Sequence, residues 1–268
     1  MAKMGNPPLY YVVAQVRFNA VLTLDQYVPS IQDSFRKAGF PDFQKRFIAA
    51  LNFNFAGSLS PDQPVSAVAA PLAQYAFTDE SGRAGFVLEH AALAYQTTCY
   101  DTFEPFLQEM MRGLEVVHKN AELSFVERIG IRFLDAVLPG PGEKLEQYLS
   151  ERVLGLVGKF ENRQLVQSIC ETRTLSDKAD LTSRAVIWNQ AETGSVAQPP
   201  DLGISFVKIQ DKFSEVRGVY GIIDTDSSYS KREKFDLREI EKVFVSLHSA
   251  LRMSFDLMVT PYARKMWE

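Results

Sequence analysis

The chain holds 268 residues, 46% hydrophobic, 12% aromatic and 23% charged, an ordinary globular composition for one large domain or two small ones. Twenty-nine Lys and Arg against 33 Asp and Glu leave a formal net charge of −4, which argues against nucleic acid or an anionic membrane as the principal partner. Cys99 and Cys170 form no CxxC pair, so disulfide frameworks and four-ligand zinc sites are excluded, and two free thiols in a reducing cytoplasm are expected.

From Tyr10 to Phe18 the residues alternate, with Val12, Ala14, Val16 and Phe18 on one side and Tyr11, Val13, Gln15 and Arg17 on the other, the period of a strand. A helix is predicted from Leu24, Tyr27, Val28, Ile31, Phe35 and Ala38, weakened early by Pro29 and closed by Gly39. Extended stretches are expected at about 44–55, 72–79 and 84–98, the last two joined by a turn over Asp79, Glu80, Ser81 and Gly82. A long helix then follows on the stripe Phe103, Phe106, Leu107, Met110, Met111, Leu114 and Val117.

The second half begins with Phe125, Ile129, Ile131 and Phe133 on one strand face, opposite Arg128, Gly130 and Arg132. A helix is predicted on Leu145, Tyr148, Leu149, Val153 and Leu156, then strands at about 164–175, 181–190, 203–212 and 216–225. The final helix opens at Asp236 with Glu239 three residues on, carries Ile240, Val243, Phe244, Leu247, Leu251, Phe255 and Met258, and ends at Pro261. Short identities link the halves. Val16-Arg17-Phe18, Ala20-Val21-Leu22 and Leu24-Asp25-Gln26-Tyr27 recur as Ile131-Arg132-Phe133, Ala136-Val137-Leu138 and Leu145-Glu146-Gln147-Tyr148. The expected architecture is therefore α+β: two tandem pseudo-repeats, residues 1–124 and 125–268, each an antiparallel sheet with two helices on one face. Their order of elements is similar to the saddle and helix-grip folds, with the other sheet face polar and open.

Signatures of chemistry are missing. The chain has no GxxxxGK[ST], GxGxxG, HExxH or GxSxG, and His90, His118 and His248 are too far apart for a local motif. No run of 18 apolar residues suggests a membrane span, and no apolar segment follows Lys3 as a secretory signal would require, so a cytoplasmic protein is expected. Among polar residues, Arg17, Arg128, Arg132, Arg173 and Arg184 fall on the predicted open faces. They form either a guanidinium cluster for a small anionic ligand or a solvated face ion-paired to Glu127 and Glu171. His248 and His118 lie on the two long helices, as a proton carrier or ligand between the halves or as partly buried histidines bonded within the fold. The acidic run Asp224-Thr225-Asp226 fails as a calcium loop, with Tyr229 and Phe235 where Gly and Glu are needed, and reads as a solvated connection. Phe53, Phe55, Tyr75, Phe77 and Tyr95 are the aromatics left open between core and a stacking platform.

Asn6-Pro7-Pro8-Leu9 leading into Val16-Arg17-Phe18, Gly39-Phe40-Pro41, Arg128-Ile129-Gly130-Ile131-Arg132-Phe133, and Leu247-His248 with Phe255 and Trp267 together resemble a sporadically distributed bacterial family of uncharacterised proteins of similar length. Asp135 departs from that family's pattern, which carries Asn there. The resemblance implies an accessory role in a mobile, defence, toxin–antitoxin or secretion system. The first expectation is accordingly a non-enzymatic accessory protein without metal or cofactor, binding a protein partner from its own operon and capable of self-association. The second is a sensor that grips a small anionic ligand or nucleotide with the sheet-face arginines, and the third an enzyme with dispersed residues, tested first at His248.

Overall fold

The computed structural model describes residues 5–49, 71–177, 179–199, 202 and 204–268. The end of the strand expected to reach residue 55, with Phe53 and Phe55, lies outside them. Among the described residues ten strands form one antiparallel sheet: β1 (Leu9–Phe18), β2 (Asp42–Ala49), β3 (Pro71–Thr78), β4 (Ala84–Glu89), β5 (Ala92–Thr97), β6 (Phe125–Val137), β7 (Gln167–Leu175), β8 (Asp180–Gly194), β9 (Val216–Tyr229) and the short β10 (Glu233–Lys234). Their order is β2-β3-β4-β5-β1-β6-β9-β8-β7, with β10 on β6. Where two sheets are expected there is one, continuous through the pairing of β1 with β6, which places Val13 opposite Arg132 and Arg17 opposite Arg128.

Three helices cover one face: α1 (Leu24–Lys37), α2 (Phe103–Ala121) and α5 (Leu237–Met258). Their stripes bury as the periods predict. Phe103, Phe106, Leu107, Met110, Leu114 and Val117 of α2 meet Ile240, Phe244, Leu247 and Leu251 of α5 over Val12, Ala14, Val16 and Phe18. Tyr75, Phe77 and Tyr95 belong to the same core, so these three aromatics are packing residues and not a stacking platform. Asp236 caps α5, its Oδ1 accepting from the N–H groups of Arg238 at 2.8 Å and Glu239 at 3.3 Å.

Three segments depart from the sequence expectation. The helix predicted over residues 145–156 is two single turns, α3 (Leu145–Tyr148) and α4 (Glu151–Leu154). Leu149 between them is extended, bridges Val259, and the Ser150 N–H donates to the Met258 carbonyl at 2.8 Å. The apolar residues are then buried against the end of α5 and α6 (Pro261–Trp267), so docking overrides the helical period. Pro261 both ends α5 and begins α6, where the missing proline N–H costs nothing. Residues 84–98 are a hairpin that turns at His90, and of the strand expected over 203–212 the described residues, 204–212, are not a strand.

That last segment crosses the sheet's second face as a strap. Ile204, Val207 and Ile209 pack over Tyr10, Tyr11, Leu134, Tyr220 and Ile222, so this part of the face is covered and not open. Hydrogen bonds to its backbone hold it down: the Gln96 side-chain amide donates to the Ser205 carbonyl at 2.8 Å, the Thr98 hydroxyl to the Lys208 carbonyl at 2.7 Å, and the Lys208 N–H to the Gly82 carbonyl at 2.7 Å.

Gly113 sits mid-helix in α2 because nothing larger fits. A Cβ there would lie 2.2 Å from Phe86 Cε1, and that ring is stacked on Phe35 at 4.5 Å and tilted against Tyr95 at 4.8 Å. Alanine would gain about 1 kcal/mol of helix propensity but overpack the core at a cost of about 1–3 kcal/mol. Gly113→Ala therefore lowers the melting temperature followed by circular dichroism; an unchanged or higher value refutes this packing constraint.

Candidate ligand site

The five arginines of the second face do not form one free cluster. Arg132, largely buried, makes a bidentate pair with Asp224, Nε to Oδ1 and Nη2 to Oδ2 both at 2.7 Å. Arg184 Nη1 reaches the same Asp224 Oδ2 at 2.6 Å while its Nε reaches Glu171 Oε2 at 2.6 Å. An ionic chain Arg132–Asp224–Arg184–Glu171 thus runs across β6, β9, β8 and β7. Asp224, its side chain only 2% exposed, is the hub of this chain and lies on a strand, not in the solvated connection expected of it. Of the others, Arg17 and Arg128 face each other in the β1–β6 register, with the Arg128 guanidinium lying over Gly130, and Arg173 is exposed on β7.

A cavity of about 680 Å³ opens on the helical face, at the end of the sheet where α5, the start of α2 and residues 5–9 converge. Its floor is β6. That strand sends Ile129, Ile131, Phe133, Asp135 and Val137 toward the helices, so Asp135 interrupts an apolar row. Only 6% exposed, the Asp135 carboxyl has no hydrogen bond or ion pair among the described residues and lines the cavity. Burial pushes its pKa up to about 8. An unpartnered buried carboxyl is expensive, and such groups concentrate where a protein acts on something.

Beside it, the His248 imidazole is stacked on Phe103 with ring centres 3.8 Å apart and tilted against Phe133 at 5.8 Å. Burial, with the Arg252 charge adding to it, pushes its pKa down to about 4 against the opposing pull of Glu104, so the ring is neutral near pH 7. Tyr100 packs on Phe133 at 5.4 Å, and Phe255 completes the aromatic lining. Asp101, Glu104, Lys212, Arg252 and Asp256 supply the charges around it, and the exposed Cys99 thiol lies at its edge.

The two helix histidines do not act together. His118 stacks on Phe235 at 4.3 Å, with its buried Nδ1 unpartnered. It lies fifteen residues along α2 from Phe103, about 22 Å at 1.5 Å per residue. Only His248 enters the cavity. His90 sits in the β4–β5 turn, its carbonyl accepting the Val21 N–H at 2.8 Å. Sequence reasoning missed Asp135 as a site residue, although the signal is present: one charge in the inward row of an otherwise apolar strand.

Two outcomes follow from these surroundings. Asp224→Ala takes the bidentate carboxylate from the largely buried Arg132 and one of two carboxylates from Arg184 and should cost about 1–3 kcal/mol in urea unfolding, whereas Arg17→Ala, on the exposed end, should stay within about 0.5 kcal/mol. Equal effects would dissolve the hub. Asp135 behaves differently. Its folded pKa exceeds its unfolded one, so folding takes up a proton between about pH 4 and about pH 8, and wild-type stability falls as pH rises through that window. Asp135→Asn lacks this term, so its melting temperature should gain on wild type steadily from the lower to the upper end of the window, with His248 common to both proteins. A gap independent of pH contradicts the buried carboxyl.

No family model matches the chain, and no curated protein matches it.

Proposed function

We propose that the protein is a non-enzymatic ligand-binding module that encloses a small molecule in the cavity above Asp135 and acts as a sensor or accessory component. One observation carries this reading: a carboxyl 6% exposed and without a partner among the described residues lines a cavity of about 680 Å³, a volume within the range of small-molecule sites. The sheet-face arginines give a weaker site, because Arg132 and Arg184 already hold carboxylates. We read the architecture as two tandem pseudo-repeats meeting near residue 124 in a saddle-like arrangement. The short sequence identities between the halves and the central position of β1 beside β6 support this. On that reading the cavity draws on both repeats, Tyr100 and Phe103 from the first and Asp135 and His248 from the second. The motif resemblance noted in the sequence fits an accessory component of this kind.

A second reading, docking to a protein partner or another copy, is favoured by the exposed residues Val245, Met253 and Leu257, which recur on one side of α5. Native mass spectrometry of protein gently isolated from its own host separates the two, with Cys99 alkylation measured in a Cys170→Ser background. The expected result is a small-molecule increment over the 30.2 kDa chain and slower alkylation of Cys99 in the adduct than in stripped protein. A protein-sized increment transfers the weight to the second reading. A bare chain whose Cys99 reacts at the same rate before and after stripping overturns the pocket.

A further inference from the structure

We infer that the cavity takes a small organic cation, an ammonium-bearing molecule whose charge meets the Asp135 carboxylate and whose apolar body lies among the rings of Tyr100, Phe133 and Phe255. This rests on the pocket reading above and adds the chemical class of the ligand.

The charges around the cavity have one dominant sign. Among the described residues, carboxylates come from Asp135 at the floor and from Asp101, Glu104 and Asp256, and cations from Lys212 and Arg252, with Asp101 already engaged in an interaction of its own. Lys212 is committed elsewhere: its Nζ donates to Asn6 Oδ1 at 3.1 Å and to the Pro7 carbonyl at 2.9 Å, and sits 4.7 Å from the centre of the Phe213 ring. Asp256 is likewise taken, by Arg264 at 2.8 Å. Arg252 is exposed, leaving no buried cation among the described residues to neutralise Asp135. His248 does not serve, since its ring lies flat on Phe103 in surroundings that keep it unprotonated.

An anionic ligand would keep Asp135 protonated and find no opposite charge there, and would meet a like charge wherever the carboxyl ionises, which a dry site penalises heavily. A neutral ligand would leave Asp135 holding its proton. A cation replaces that proton, which leaves to solvent, and the resulting pair is both charged and hydrogen-bonded. The rings add to the same preference, because the faces of Tyr and Phe attract a cation within about 6 Å. The aromatic lining also matches an apolar body behind the charge.

Three probes of one shape and three charges test this: benzylammonium, benzyl alcohol and benzoate. Each is titrated against the full chain carrying Cys170→Ser, near pH 8, by calorimetry and by protection of Cys99 from alkylation. Benzylammonium should bind about tenfold or more tighter than benzyl alcohol, with benzoate weakest. Asp135→Asn should reduce that preference to about twofold while benzyl alcohol still protects Cys99. Glu104→Gln, an exposed change that leaves the core intact, should weaken benzylammonium modestly and leave benzyl alcohol unaffected. Benzyl alcohol or benzoate matching benzylammonium, with Cys99 still protected, overturns the cation assignment and leaves the pocket standing. A benzylammonium preference that survives Asp135→Asn also overturns it. Failure of all three probes to protect Cys99 at millimolar concentration overturns it together with the pocket.

Discussion

The pairing of β1 with β6 is the constraint on which the rest of the structure depends. It converts two strand sets into one sheet, and it brings α2 and α5 side by side on the same face. Without that seam the start of α2 would not stand over the end of β6, and Asp135 would open to water and not into an enclosed cavity. The seam itself is held by opposed apolar side chains, Val12 against Phe133 and Ala14 against Ile131 among them, together with its ladder of backbone bonds.

The two faces of the sheet solve different problems. The helical face buries a continuous aromatic and aliphatic layer, in which Phe35, Phe40, Phe86 and Tyr95 interlock at centroid separations of 4.5–6.5 Å. The second face is divided. One part is covered by the strap and the other carries the Asp224 ion chain, whose charges balance one another across four strands. Paired charge is what permits that part of the sheet to remain uncovered, since each guanidinium and carboxylate satisfies its neighbour. Asp135 is the contrasting case, a carboxyl on the apolar face with no such neighbour among the described residues.

Legibility in the sequence follows how many surfaces compete for a segment. β1, α2 and α5 each lay one face on the core, so their periods are plain in the order of residues. Residues 145–156 have a helical period but also fit the end of α5 and α6, and docking breaks them into two turns. Residues 204–209 carry apolar side chains, Ile204, Val207 and Ile209, that cover a face instead of joining its ladder, a distinction no local pattern encodes. The site was less visible for a related reason. The charge at Asp135 stands out within its own strand, but the cavity assembles from residues 5–9, 99–104, 133–135 and 248–256, and only the fold brings these together. The arginines, easier to notice, turned out in part to be already paired.

The strap has a consequence for how the chain acquires its structure. It belongs to the second half yet fastens onto Gln96, Thr98 and Gly82 in the first. During synthesis, β1 through α2 emerge with the β1 edge unpaired and Tyr10 and Tyr11 bare, and both wait for residues made more than a hundred positions later. The nascent first half therefore presents a sticky edge to its surroundings for the whole of that interval. Its safe passage rests on how quickly β6 arrives to close the seam, with the strap sealing the tyrosines last.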